Sequence, residues 1–166
     1  MWSSRLFWKL FLSYAGLLLA IVVILAALIS ARQKEQVLSH LQDRLHDDAV
    51  ILRPLVAGAL ESGLHDGLQE LAGKLAGETG TRITVITNEG SVVADSEQDP
   101  ALMENHLDRP EVRLAAERGA GVWIHLSRTL GIPMMYFALR VQSAEAQVGF
   151  VRVALPLHLV EERVTV

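Results

Sequence analysis

The chain has 166 residues, 51% of them hydrophobic and 20% charged, with no cysteine and a formal net charge of −4. That length holds one modest domain and excludes a two-domain enzyme, and the lack of cysteine excludes a disulfide framework, a thiolate nucleophile and cysteine-bound zinc. No acid precedes Glu35, whereas residues 31–166 carry 13 Lys and Arg against 19 Asp and Glu, a net of −6 that argues against a nucleic-acid partner.

Leu10 to Ser30 is uncharged over 21 residues, about 31 Å of helix and so the thickness of a bilayer core. It is read as an uncleaved transmembrane helix. A secretory signal cleaved near Ile29-Ser30-Ala31 is the competing reading, although signal cores run only about 7–15 apolar residues. Arg5 and Lys9 precede the span with no acid beside them. By the positive-inside rule residues 1–9 are then cytoplasmic and residues 31 onward lie outside the bacterial inner membrane. Arg32 and Lys34 stand on the far side, and Trp2, Phe7, Trp8 and Phe11 cluster before the span as interfacial aromatics do.

Residues 31–79 are read as membrane-proximal helices. From Gln33 to Glu61, Leu38, Leu41, Leu45, Leu52, Leu55 and Ala59 follow a heptad pattern broken by Asp48, which predicts a long amphipathic helix. The stripe either packs on its own domain or also forms a homodimer seam through Leu38, Leu41, Leu45 and Leu52. Pro54 is expected to kink or break the helix near Leu52-Arg53. A second helix is predicted from Leu64 to Ala76, punctuated by Gly63 and Gly77.

At Gly80 the period changes, and residues 80–157 read as a PAS-like sensor sheet. Arg82–Thr87 and Ser91–Ala94 alternate as strands about the turn Asn88-Glu89-Gly90. A polar stretch runs from Asp95 to Asp108, and Pro110 suits the first position of a helix ending at Gly119. Three further strands are predicted at 121–129, 133–142 and 149–157, then an exit segment, 158–166, that could begin another helix. The fold class is α+β: a transmembrane helix, then a five-stranded antiparallel sheet packed on a long N-terminal helix, with the helices on one face.

This order of elements is similar to the extracytoplasmic PAS-like, or Cache-type, sensor domains of bacterial sensor histidine kinases. The runs 93–96, 103–106, 109–112, 119–121, 127–130, 135–138 and 151–156, in this order and spacing, resemble phosphate-regulon-type sensor kinases over about residues 10–157. The resemblance implies a signal-sensing domain of a two-component phosphorelay, followed by a second membrane helix, a HAMP relay, a helix bearing the phosphoacceptor histidine and an ATP-binding domain. A phosphoacceptor would sit in His-Glu-x-Arg-Thr-Pro-Leu, and no histidine here has that context; His40 lies in Ser-His-Leu-Gln-Asp. The expectation is a partial chain without the kinase core, with the exit segment leading toward the second membrane helix. The alternatives are the sensor of a chemotaxis receptor or cyclase, a pilin-like subunit, and an anchored hydrolase. A pilin wants a prepilin cleavage context that Arg5 to Phe11 does not offer, and a hydrolase has no motif here.

Alternation along the last three strands sends Val122, Ile124 and Leu126, then Met135, Phe137, Leu139 and Val141, then Val151, Val153 and Leu155 to one face, expected to pack on the long helix. Trp123, His125, Ser127, Tyr136, Arg140 and Arg152 fall on the other. The simpler expectation is that this face is solvated, with Arg140 and Arg152 paired to acids such as Glu145. The sharper one is that His125, Tyr136, Arg140 and Arg152 form a cup for a small anionic ligand such as a carboxylate or phosphate. Asp95, Ser96, His106 and Glu111 supply the residue types of a hydrolytic triad without a nucleophile elbow, so no catalytic residue is assigned. Asp95 and Ser96 are expected to shape the loop, and Asn105 and His106 to make local turn bonds. Metal binding by His106 with Asp99, Glu104 or Asp108 has no supporting ligand spacing, and neither metal nor cofactor is expected. The partners expected are the membrane, a second copy, and a small anion or a membrane protein. The resemblance does not imply phosphate itself as the ligand.

Overall fold

The computed structural model describes residues 3–63, 67–127, 131–143 and 146–157. The predicted helix start at Leu64, the predicted strand residues 128 and 129, Glu145 and the exit segment 158–166 lie outside the described residues. The chain divides into two compact units, residues 1–39 and 40–166, which are taken in turn.

The first unit is helical and belongs to α1 (Ser3–Ser62). Its apolar side chains are exposed, Leu18 at 62% and Leu19 at 66% among them. By length and composition this helix can cross a membrane. At its start Phe7 stacks on Phe11 and Trp8 meets Phe11 edge-on.

The second unit begins within α1 and continues through α2 (Leu68–Thr79), β1 (Arg82–Thr87), β2 (Val92–Asp95), a 3-10 turn (Pro100–Leu102), α3 (Pro110–Arg118), β3 (Ala120–Leu126), β4 (Pro133–Ser143) and β5 (Ala146–Pro156). The five strands form one antiparallel sheet in the order β2-β1-β5-β4-β3. The last strand therefore lies in the centre, joining the hairpin to the β3–β4 pair.

One sheet face is sealed by α1 and α2. Leu45, Ala49, Leu52 and Val56 of α1 and Leu68 and Ala72 of α2 are buried against Ile83, Val85, Met135, Phe137, Val151, Val153 and Leu155. The apolar set read from the strands packs where expected, except at the edge, where Ile124 and Leu126 stay 43% and 63% exposed. The packing also engages part of the stripe read as a seam. Leu45 is fully buried, Leu52 is 5% exposed, and Leu41 is half-buried on the same core, so these leucines are used inside the chain. The buried stripe runs 45-49-52-56, true to a 3.6-residue period, whereas the heptad count runs through Leu55, which is 51% exposed.

Pro54 does not end α1, which continues to Ser62. Its ring is exposed, so the carbonyl it leaves unbonded lies on the side open to water. α2 ends at Gly80 instead of Gly77: Gly80 takes the left-handed conformation (φ 68°) and its N–H bonds the Ala76 carbonyl, which caps the helix.

The opposite face is not wet. Val112 and Ala115 of α3 are buried on Ile86, Ala138 and Phe150, so helices cover both faces. Gly121 allows this close approach, because a Cβ there would lie 2.2 Å from the Glu111 carbonyl oxygen. Arg140 works at the end of α3: its Nη1 donates to the Ala116 carbonyl at 3.0 Å, satisfying a helix C-terminus.

Candidate functional site

Where α3 stops covering the second face, the segment between β2 and α3 lies over it and leaves a pocket of about 240 Å³. Its floor is sheet: Arg82 from β1, His125 from β3, Tyr136 from β4 and Arg152 from β5. Its rim comes from the segment, with Gln98, Met103, Glu104, His106 and Arg109.

Asp95 builds the rim. Its carboxylate is fully buried and accepts from Arg82 Nε and Nη2 at 3.2 and 3.0 Å, from Thr84 Oγ1 at 2.7 Å, and from the backbone N–H of Glu97 and Gln98 at 3.0 Å each. The Gln69 side chain clasps its backbone, donating to the carbonyl at 2.7 Å and accepting from the N–H at 3.0 Å. Together these bonds fix the loop exit and hold Arg82, which also reaches Glu97 at 3.2 Å. Downstream, Asn105 Oδ1 accepts from Leu107 N–H at 2.9 Å, a local turn bond before Pro110, while His106 N–H donates to the Gly90 carbonyl at 2.8 Å and ties the segment back to the β1–β2 turn. Gly90 is required there, since a Cβ would sit 2.2 Å from Asn105 Oδ1.

On the floor, Arg152 Nε donates to Glu111 Oε1 at 2.8 Å and its guanidinium carbon lies 3.9 Å from the Tyr136 ring centroid. Tyr136 in turn stacks on His125, with centroids 4.2 Å apart and planes at 14°. Burial pulls the Arg152 pKa below its ordinary value, and Glu111 opposes that shift. His106, 4% exposed, bonds through Nδ1 to the Glu104 carbonyl at 2.7 Å. Burial first, and then the Arg152 charge, hold its pKa below the usual imidazole value.

The pocket gathers His125, Tyr136 and Arg152 of the four cup residues and leaves out Arg140, whose guanidinium is spent on α3. Position along β4 is the reason: Arg140 lies on the same face as Tyr136 but further along the strand, where it meets the end of α3 instead of the open end. Its carboxylates also differ from expectation. Arg152 is paired with Glu111 of α3, and Arg82 with Asp95 and Glu97. Arg109 has only a long contact with the mostly exposed Glu104, at 3.8 Å. Sequence reasoning missed Arg82 and Arg109. The signal for Arg82 was a charge opening an otherwise buried strand, with Asp95 closing the next one. Asp95, Ser96, His106 and Glu111 are each engaged elsewhere, Ser96 Oγ accepting from Ile83 N–H at 3.0 Å, so no proton relay is built. Among the described residues no group of three or more His, Asp or Glu is placed to hold a metal. The chemistry available is recognition: three guanidinium groups and two imidazoles around a small cavity suit an anion.

The family model described as single Cache-like matches residues 35–156. Among solved structures, the Escherichia coli DcuS sensor domain superposes with a TM-score of 0.65 at 16% identity, over 79% of this chain and 99% of that one. The sensor domain of the Vibrio cholerae histidine kinase DctB gives 0.62 at 21% identity, over 82% and 58%. The ligand-binding domain of the Pseudomonas aeruginosa amino acid chemoreceptor PctB, in complex with L-Gln, gives 0.57 at 17% identity, over 76% and 53%. A search of curated proteins finds no match.

Proposed function

This chain belongs to the single Cache-like family, and from that premise we propose that it is the extracytoplasmic signal-sensing domain of a membrane-anchored sensor histidine kinase whose pocket takes a small anionic ligand. The observation that carries the reading is the pocket itself, a cavity of about 240 Å³ with Arg82, Arg109 and Arg152 on its walls. The comparison with the DctB sensor domain supports the kinase context through fold. The PctB domain shows that the same fold in a chemoreceptor holds an amino acid, which makes a chemoreceptor the second reading. The N-terminal part of α1 is long and apolar enough to cross a membrane, and Arg5 and Lys9 before the span support the reading in which the domain lies outside.

Homodimerisation belongs to the same proposal. With Leu45 and Leu52 buried in the core, the seam shifts to the outer face of α1, where Ile51 and Leu55 are 69% and 51% exposed. The function is tested by following thermal unfolding of the full chain in detergent micelles with acetate, tartrate, citrate, inorganic phosphate and L-glutamine. A ligand that binds only the folded state raises stability by RT ln(1 + [L]/Kd). One responder supports the reading, and none at millimolar concentration removes the small-ligand role.

A further inference from the structure

The two edges of the sheet are protected differently. β2 is four residues long, its pairing with β1 shifts register between Val85 and Ile86, and the Gln69 side chain bonds both the N–H and the carbonyl of its Asp95. A short strand, an irregular register and a covering side chain all keep an edge from pairing with another chain. β3 has none of these. Its seven residues, Ala120–Leu126, pair with β4 in an unbroken register and include no Lys, Arg, Asp or Glu. Trp123, Ile124 and Leu126 are 48%, 43% and 63% exposed.

The backbone decides which groups this edge offers. Arg140 N–H donates to the Gly119 carbonyl and Ser127 N–H to the Ile132 carbonyl. Antiparallel pairs alternate between bonded and unbonded, so between those two points Gly121, Trp123 and His125 direct their N–H and C=O to β4. The N–H and C=O of Ala120, Val122, Ile124 and Leu126 point the other way, and among the described residues no strand lies beyond them.

We propose that β3 is a self-pairing edge, through which two copies of the chain meet antiparallel about a two-fold axis at Trp123. In that register Val122 lies opposite Ile124 of the second copy and Ala120 opposite Leu126, so all four outward residues are paired at once. A slip of two residues either way leaves Ala120 or Leu126 outside the ladder. The Leu126 carbonyl, 3.1 Å from His125 Nδ1, keeps a second lone pair for the new bond. Val122, Ile124 and Leu126 make one side of the joint apolar throughout. On the other side Trp123 meets its own copy in an unbonded pair, the closer kind, where an aromatic pair stabilises a sheet. A second copy fits better than a foreign peptide, because this one uncharged sequence supplies both halves of the match.

A single strand pair buries less than the roughly 1,200 Å² of a standard interface, so the contact is weak between free domains and relies on the effective concentration that a shared membrane gives. The N-terminal part of α1 is long and apolar enough to provide that anchor. Tyr136, opposite Trp123 on β4, also belongs to the pocket floor. On the proposed ligand reading, which bears on this consequence only, a bound anion therefore acts on the same strands that the second copy extends.

The chain has no cysteine, so introduced cysteines test the register in the full chain reconstituted in phosphatidylcholine vesicles. Trp123→Cys should form a disulfide-linked dimer on mild oxidation, since an unbonded antiparallel pair stands about 4.5 Å apart at Cα, within disulfide reach. Ala120→Cys, about 20 Å from its own copy in this register, should not. With Trp123 intact, a mixture of Val122→Cys and Ile124→Cys chains should cross-link better than either chain alone. Adding Ile124→Lys to Trp123→Cys puts a charge on the edge and should cut the dimer several-fold, while a melting temperature within about 2 °C of its parent shows the fold intact. Adding Ile51→Lys, on the outer face of α1, should leave the dimer unchanged. Equal cross-linking at positions 120 and 123, none at 123, or a mixture no better than its components overturns the proposal. So does a dimer lost with Ile51→Lys, which would make the contact a by-product of the α1 seam. A cysteine at 123 shielded from a water-soluble maleimide yet not cross-linked would assign the edge to another occupant and overturn it as well.

Discussion

Arg82 Nη2 donates to Asp95 Oδ1 at 3.0 Å across the β1–β2 hairpin, and the two side chains are 4% and 0% exposed. A buried pair of this kind is not strong evidence for net stability, but removing one member leaves the other charge stranded. Asp95→Asn should therefore destabilise the domain by roughly 3 kcal/mol, partly offset by Glu97 on the other side of Arg82. Urea unfolding of the full chain in micelles checks this. A loss below about 0.5 kcal/mol, the range of neutral surface substitutions, would mean that Asp95 does not organise the rim.

His106 gives the domain an acid-labile component. Its folded pKa lies below the ordinary 6.5 because of burial and Arg152, so the unfolded chain binds the proton more readily. The stability from keeping His106 neutral is present above pH 6.5 and is lost as pH falls through that value toward the folded pKa. His106→Gln should lose less stability than wild type between pH 7 and pH 5, measured by urea midpoints across that range. Parallel pH profiles would refute the burial argument.

The proposed topology rests on Arg5 and Lys9 before an uncharged span. A reporter enzyme active only outside the cytoplasm, fused after Leu157, should be active, and a cytoplasm-dependent reporter at the same position should be silent. The reverse pattern would place the pocket inside the cell.

The strands were legible because one face keeps period-2 alternation: Met135, Phe137 and Leu139 share it with Val151, Val153 and Leu155. The covering of the second face was not legible. The residues of α3 that bury are Glu111, Val112 and Ala115, two small apolar groups and an acid, and that composition carries almost no hydrophobic signal. Four of the pocket side chains followed from alternation, namely His125, Ser127, Tyr136 and Arg152. Arg109 did not, because it sits in an irregular segment placed by Asp95 and Asn105 hydrogen bonds, for which no periodicity exists. The central position of β5 was hidden for a related reason. Its pairing with β1 joins Arg82 to Ala154, a contact over 70 residues that local turn signals cannot report.

The central claim is that the pocket binds a small anion, and Arg109 tests it most directly, because its ion pair with the mostly exposed Glu104 is long, at 3.8 Å, and so contributes little to folding. The measurement is the melting temperature of wild type and Arg109→Ala, with and without the responding anion. Wild type should rise by several degrees at a hundredfold excess over Kd, equivalent to about 2.7 kcal/mol, while Arg109→Ala melts within about 2 °C of ligand-free wild type and shows little or no rise. An undiminished rise in Arg109→Ala, or no rise in wild type with any of the anions, would contradict the account.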